Sequence, residues 1–134
     1  MNLAEQRVQA VLNQPFSKFV GLEIVSSEKG RAHLRFQATE NVINPAQKLH
    51  GGILNALLDM ACYVALVAQL KEGQNAVTID AHFNNIRATK EQAVIDIFSE
   101  VTARAPSVAF AKAEALVKNK LIASGSLTKS IVSL

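Results

Sequence analysis

Tryptophan is absent from this chain, and tyrosine and cysteine occur once each among its 134 residues. With Cys62 alone, no disulfide can close within the chain, and the cytoplasm, a reducing compartment, is the expected location. So few flat side chains leave little to stack on nucleic-acid bases. The net charge is only +3, and its cations are scattered from Arg31 to Lys129. The dense basic patch of a nucleic-acid binder is therefore missing, although a mild excess suits a small anionic ligand. The three histidines, His33, His50 and His82, stand far apart and the acids do not cluster, so no metal site is expected. There is no glycine-rich phosphate loop or dinucleotide fingerprint. The opening stretch, Met1-Asn-Leu-Ala-Glu-Gln-Arg, holds no apolar signal core.

What is present is apolar: 49% of the residues are hydrophobic, enough for a core and too many for disorder. Without repeats, linkers or low-complexity tracts, residues 1–134 read as a single domain. One long apolar run, Leu49 to Leu70, has the length of a membrane span. Asp59 near its centre would cost about 2.5–3.5 kcal/mol there, and His50, Asn55 and Gln69 weaken the case further. The run reads instead as the buried central helix of a fold that needs no membrane.

Residues 3–13 have helical spacing, with Leu3, Val8, Val11 and Leu12 on one side and Pro15 closing the segment. The period changes to two from Val20. Val20–Ser27 and Arg31–Ala38 read as strands about a Lys29-Gly30 turn. Ala32, Leu34, Phe36 and Ala38 alternate with Arg31, His33, Arg35 and Gln37. A loop over 39–50 leads to a helix from about Gly51 to Leu70. Four strands are expected after it, at 76–84, 92–104, 107–117 and 121–130. In the first of these, Val77, Ile79, Ala81 and Phe83 alternate with Thr78, Asp80, His82 and Asn84. The order predicts an α+β fold, an antiparallel sheet packed on one long helix.

The chemistry concentrates where loop becomes helix, at Asn44-Pro-Ala-Gln-Lys-Leu-His50-Gly51-Gly52. Paired glycines cost about 1 kcal/mol each inside a helix relative to alanine. At a helix start they are tolerated, and they let a ligand approach the backbone. First-turn amides have no internal partner and carry the positive end of the helix dipole, so they can hold a developing oxyanion. Asp59 is a carboxylate in an apolar helix, costly unless paired or used, and no basic residue lies near it in sequence. Together these features suggest acyl transfer. Read singly, Asn44 is also an ordinary turn residue, His50 a helix-start hydrogen bonder, and Gly51-Gly52 a close-packing pair.

At this point the chain resembles the hotdog-fold acyl-CoA thioesterases, in particular the phenylacetyl-CoA and 4-hydroxybenzoyl-CoA branch, over about residues 16–132. That pattern is Asn, two residues, Gly, two residues, His-Gly-Gly, then a helical acid, matched by Asn44, His50, Gly51, Gly52 and Asp59. The resemblance implies an antiparallel sheet wrapped around a long central helix. It also implies that the Gly51 amide polarises the thioester carbonyl with Asn44 and His50 in support. Asp59 would then be the general base on water or the nucleophile. No cofactor is implied, coenzyme A being part of the substrate. By charge, Arg87, Lys90 and Arg104, with Gly52, are the residues expected to meet it, and a solvated edge is the alternative reading of the three cations. Two positions depart from the pattern. Gln47 replaces the usual glycine, so the loop before His50 is expected to run differently, and Ala88 replaces a common proline.

His50 and Asp59 are nine residues apart, about 900° of helix, so they face opposite ways about 13 Å apart along the axis. One chain is not expected to bring its own pair together. Two antiparallel helices across a two-fold axis would do so, and the resemblance likewise implies a homodimer or homotetramer with sites between subunits. The leading expectation is hydrolysis of a small, medium-chain or aromatic acyl-CoA. A non-catalytic acyl-CoA binder and a hotdog dehydratase or hydratase are the alternatives. Cys62 reads as a small buried residue rather than a nucleophile, and Asn55, one turn before Asp59, as its orienting partner or as interface filler.

Overall fold

The computed structural model describes residues 1–134. Two short helices, α1 (Leu3–Asn13) and α2 (Pro15–Val20), precede strands β1 (Glu23–Glu28) and β2 (Arg31–Gln37). The long helix α3 (Gly51–Leu66) follows, then β3 (Gln74–Asn85), β4 (Val94–Arg104), β5 (Val108–Val117) and β6 (Lys120–Ser133). All six strands form one antiparallel sheet in the order β1-β2-β4-β5-β6-β3. This is the expected α+β arrangement. The differences are local: Pro15 starts a second helix rather than ending the first, because its fixed φ and missing N–H suit the first helical position. Val20 is consequently helical, and β1 begins only at Glu23.

α3 packs on one face of the sheet and buries Leu54, Leu57, Leu58, Ala61, Cys62 and Leu66, among others. The strand beneath it makes that approach possible. β5 turns Ala109, Ala111, Ala113 and Ala115 inward, four small side chains on which a helix can sit closely. Two hydroxyls tie the helix down: Ser99 donates to the Ala61 carbonyl at 2.7 Å and Ser27 to the Val64 carbonyl at 3.0 Å. β2 follows its sequence pattern, with Ala32, Leu34 and Phe36 buried.

On the outer face of β2, His33 and Arg35 both reach Asp96 Oδ1, at 2.7 and 2.8 Å, and His33 stacks on Phe98 with ring centroids 4.3 Å apart. Burial opposes ionisation of Asp96, but the hydrogen bonds and charges of His33 and Arg35 together hold its carboxyl below the ordinary value. A carboxyl lowered by folding contributes stability that is fully present above about pH 4 and is lost as pH falls below it. Asp96→Asn should therefore flatten the acid side of the stability curve. Urea melts between neutral and acid pH check this; equal slopes for variant and wild type would remove the pair from the account.

β3 departs most from its sequence pattern. A bulge between Thr78 and Asp80 interrupts its pairing with β6. An extra residue switches the face of everything after it. Ala76 and Thr78 therefore share the inward face with Phe83, while Val77 and Ile79 are left 49% and 63% exposed. β3 is also an edge of the sheet, twelve residues long and unpaired on its outer side.

Candidate active site

α3 begins at Gly51 because His50 caps it. His50 is extended (φ −64°, ψ 121°), and its Nδ1 accepts from the amides of Gly52 at 2.9 Å and Ile53 at 3.4 Å. An accepting Nδ1 carries no proton, so the ring hydrogen sits on Nε2. A Cβ at 52 would lie 2.9 Å from His50 Cε1, so any larger residue there has to displace the capping ring. With Gly52 and Ile53 engaged, the Gly51 amide is the first-turn donor left without a protein acceptor. Gly52, expected to meet coenzyme A, is thus occupied in the cap.

The loop before the cap is fixed by Asn44, whose Oδ1 accepts from the amides of Ala46 at 3.0 Å and Lys48 at 3.1 Å. Its turn-forming role is real, and it also lines a cavity of about 260 Å³ with Gly51, Asn85 and Arg87. Gln47 adopts φ 65°, the left-handed region that glycine occupies freely and that a residue with a side chain enters at some cost. Asn85, at the end of β3, overhangs the helix start: a Cβ on Gly51 would lie 3.1 Å from Asn85 Nδ2. Arg87 donates from Nε to the Leu121 carbonyl at 3.1 Å, and Lys90 adjoins the cavity through its bridge to Lys48. Arg104 does not join them. It ends β4, beyond eleven residues of strand that start after Lys90, a span of about 35 Å.

Asp59 opens into a second cavity of about 380 Å³, walled by Val11, Met60, Tyr63, Ala76, Thr78 and Lys129 among others, with Arg7 of α1 at its edge. Eight residues of helix separate Asp59 from Gly51, about 12 Å along the axis, so the two expected halves of the site lie apart within one chain. Asp59 has the cation that its sequence neighbourhood withholds. Lys129 of β6, with only 4% of its side chain exposed, forms an ion pair with Asp59 Oδ1. Thr78 Oγ1 donates to the same oxygen at 2.7 Å and accepts from Lys129 Nζ at 2.7 Å. Asn55 makes no bond to Asp59, and its Oδ1 is buried without a partner. Burial pushes the Cys62 thiol up to about 12, against the lowering effect of Lys129, so it is an inert core residue. The Tyr63 hydroxyl, raised by burial, donates to Asn75 Oδ1 at 2.8 Å. No group of three His, Cys, Asp or Glu side chains converges on one point.

Sequence reading missed Lys129, Thr78 and Asn85. Lys129 had a signal: it occupies the inward parity of β6 between Leu127 and Ile131, where a lysine needs a partner. Thr78 had none, because the bulge that turns it inward leaves no mark in the alternation.

No family model matches the chain. A 1,4-dihydroxy-2-naphthoyl-CoA hydrolase from Listeria monocytogenes is 28% identical over 81 residues, covering 60% of this chain and 65% of that protein. The aligned part of the chain thus spans just under two thirds of that relative's length. The PaaI protein from the phenylacetic acid degradation operon of E. coli superposes with a TM-score of 0.88 at 23% identity, covering 97% of this chain and 94% of that one. A hypothetical thioesterase of Streptococcus pneumoniae, solved with coenzyme A, gives a TM-score of 0.78 at 18% identity over 84% of this chain and 89% of its own. At these identities the structures establish architecture, and the sequence match points the same way. This chain has the hotdog fold, and in backbone and sequence it resembles acyl-CoA thioesterases.

Proposed function

We propose that the protein is an acyl-CoA thioesterase whose active sites form between two copies of the chain. The observation that carries this reading is the free Gly51 amide at the positive end of α3, matched by a half-exposed carboxylate that the same chain keeps away from it. A thioester needs little help to release its thiolate. It needs a donor where the carbonyl oxygen becomes an oxyanion, and a carboxylate to take a proton from water or to attack. Gly51 supplies the first and Asp59 of a second copy the second. The long free edge of β3, with Val77 and Ile79 exposed, is the surface on which two copies would pair. Arg87 and Lys90, beside the Gly51 cavity, would meet the phosphates of coenzyme A. The acyl group, small, medium-chain or aromatic, would enter the cavity beside Asp59, against Val11, Met60, Tyr63 and Ala76.

Purified protein should release free thiol from at least one acyl-CoA in a panel of these classes, without added metal and undiminished by EDTA. Background rates across the whole panel would sink the enzyme reading. One observation favours a second reading, a non-catalytic acyl-CoA binder: Asp59 already has a partner in Lys129 and so has a structural reason to exist. Tight acyl-CoA binding without turnover would support that alternative.

A further inference from the structure

Both side-chain donors to the Asp59 carboxylate, Lys129 Nζ and Thr78 Oγ1, reach the same oxygen, Oδ1. The three protons of Lys129 Nζ reach Asp59 Oδ1, Thr78 Oγ1 (2.7 Å) and the Asp59 carbonyl (3.4 Å). The hydroxyl proton of Thr78 also goes to Oδ1, at 2.7 Å. An ammonium has three donors and no acceptor, so Lys129 has no donor left for a substrate, and only 4% of its side chain is exposed. Oδ2 receives no protein hydrogen bond, and it belongs to a side chain that is 38% exposed beside an open cavity. The two ends of the carboxylate are therefore unequal: one is held from beneath by the sheet, and the other is offered.

We infer that Lys129 is the positioning residue of this site, fixing Asp59 through Oδ1 so that Oδ2 alone faces the reacting groups. The inference rests on the thioesterase reading. In the base form of that reaction, the water oxygen bonds to the thioester carbonyl carbon as its proton passes to Oδ2 and the C=O π pair moves onto the carbonyl oxygen. That pair re-forms C=O as the C–S bond breaks, its electron pair leaves on the coenzyme A sulfur, and the proton on Oδ2 passes to that thiolate or to water. Lys129 enters none of these bonds. It acts by holding the carboxylate in one orientation, which is where a buried cation on a rigid strand differs from solvent.

The bulge in β3 belongs to the same device. It follows Thr78 directly, and it keeps Thr78 opposite Lys129 while the strand beyond it realigns to bring Phe83 inward. Bulges beside active sites commonly re-aim a side chain in this way.

The test is a double-mutant cycle with Lys129→Met, which keeps the stem and removes the ammonium, and Asp59→Asn. On the acyl-CoA that wild type hydrolyses fastest, Lys129→Met should lower kcat about 10-fold or more and change KM less than about twofold. In the Asp59→Asn background it should lower kcat no further, because a group that acts only through Asp59 has nothing left to position. A purely structural lysine would instead cost activity in both backgrounds alike. An additive kcat loss, a raised KM with normal kcat, or full activity in Lys129→Met would each overturn the inference. Thermal melts of the same four proteins read the pair without turnover. The two substitutions should couple, the double variant melting higher than the single losses predict. Lack of coupling overturns the inference even in an active enzyme. Coupling in a wild type that hydrolyses nothing overturns the thioesterase reading, and the positioning role with it, while leaving the ion pair in place.

Discussion

Asp59→Asn should reduce turnover at least about 100-fold, because the amide takes no proton and attacks poorly while keeping the carboxylate's shape. The structure adds a consequence that the sequence did not disclose. Asparagine still offers an oxygen to Thr78 and Lys129, but it leaves the Lys129 charge, 4% exposed, without its counter-ion. Because Asp59 is itself 38% exposed and partly screened by solvent, the loss is smaller than for a wholly buried pair, about 2 kcal/mol, a fall of roughly 7 °C in melting temperature for a domain of this size. Asp59→Asn/Lys129→Met removes the stranded charge and should recover most of that stability with no recovery of turnover. Circular dichroism melts together with thiol-release rates separate the two effects. Near-normal turnover in Asp59→Asn would show that another group does the chemistry. A double variant less stable than Asp59→Asn would show that Lys129 holds the fold for some other reason.

The fold was legible because its signals are periodic. β2 shows every second residue apolar, α3 is one long run that is apolar but for Asn55 and Asp59, and the order of elements leaves few ways to pack them. The helix start was legible because His-Gly-Gly is a local signal: a cap, a glycine beneath the capping ring, and a free amide before it. The surroundings of Asp59 were not legible for the same reason in reverse. Lys129 is seventy residues away from it in sequence, and only the pairing of β6 with β3 and the packing of α3 on both bring it near. Pro15 was ambiguous in principle, since the residue that ends one helix is also a favoured first residue of the next. Arg104 was grouped with Arg87 and Lys90 by charge alone, and the length of β4 divides them. The separation of His50 and Asp59 was readable from helix geometry, and it bears on how the site is completed.

If each site takes Gly51 from one copy and Asp59 from another, two inactive variants should restore each other. Proline is the sharpest substitution at Gly51. It removes the one amide proton in question, and it is favoured at the first position of a helix. His50, extended at ψ 121°, is already in the region required before proline. The nearest obstacle is the Asn85 side-chain amide, 3.1 Å from the added Cβ, which has to give by a few tenths of an ångström. Gly51→Pro should therefore fold and lose about 10²–10³ in kcat, the effect of deleting one oxyanion donor. His50→Ala would be a poorer partner, because it strips the cap from Gly52 and Ile53 and weakens the helix itself. Gly51→Pro and Asp59→Asn, unfolded together in equal amounts and refolded, should give mixed dimers for half of the pairs. Each mixed dimer has one site with both residues intact and one with neither, so activity should return to roughly one quarter of wild type. Mass measurement confirms the mixed pairs, and refolded wild type sets the scale. Mixed dimers that form and stay inactive would mean that Gly51 and Asp59 do not act on the same thioester, and the shared site would have to be abandoned.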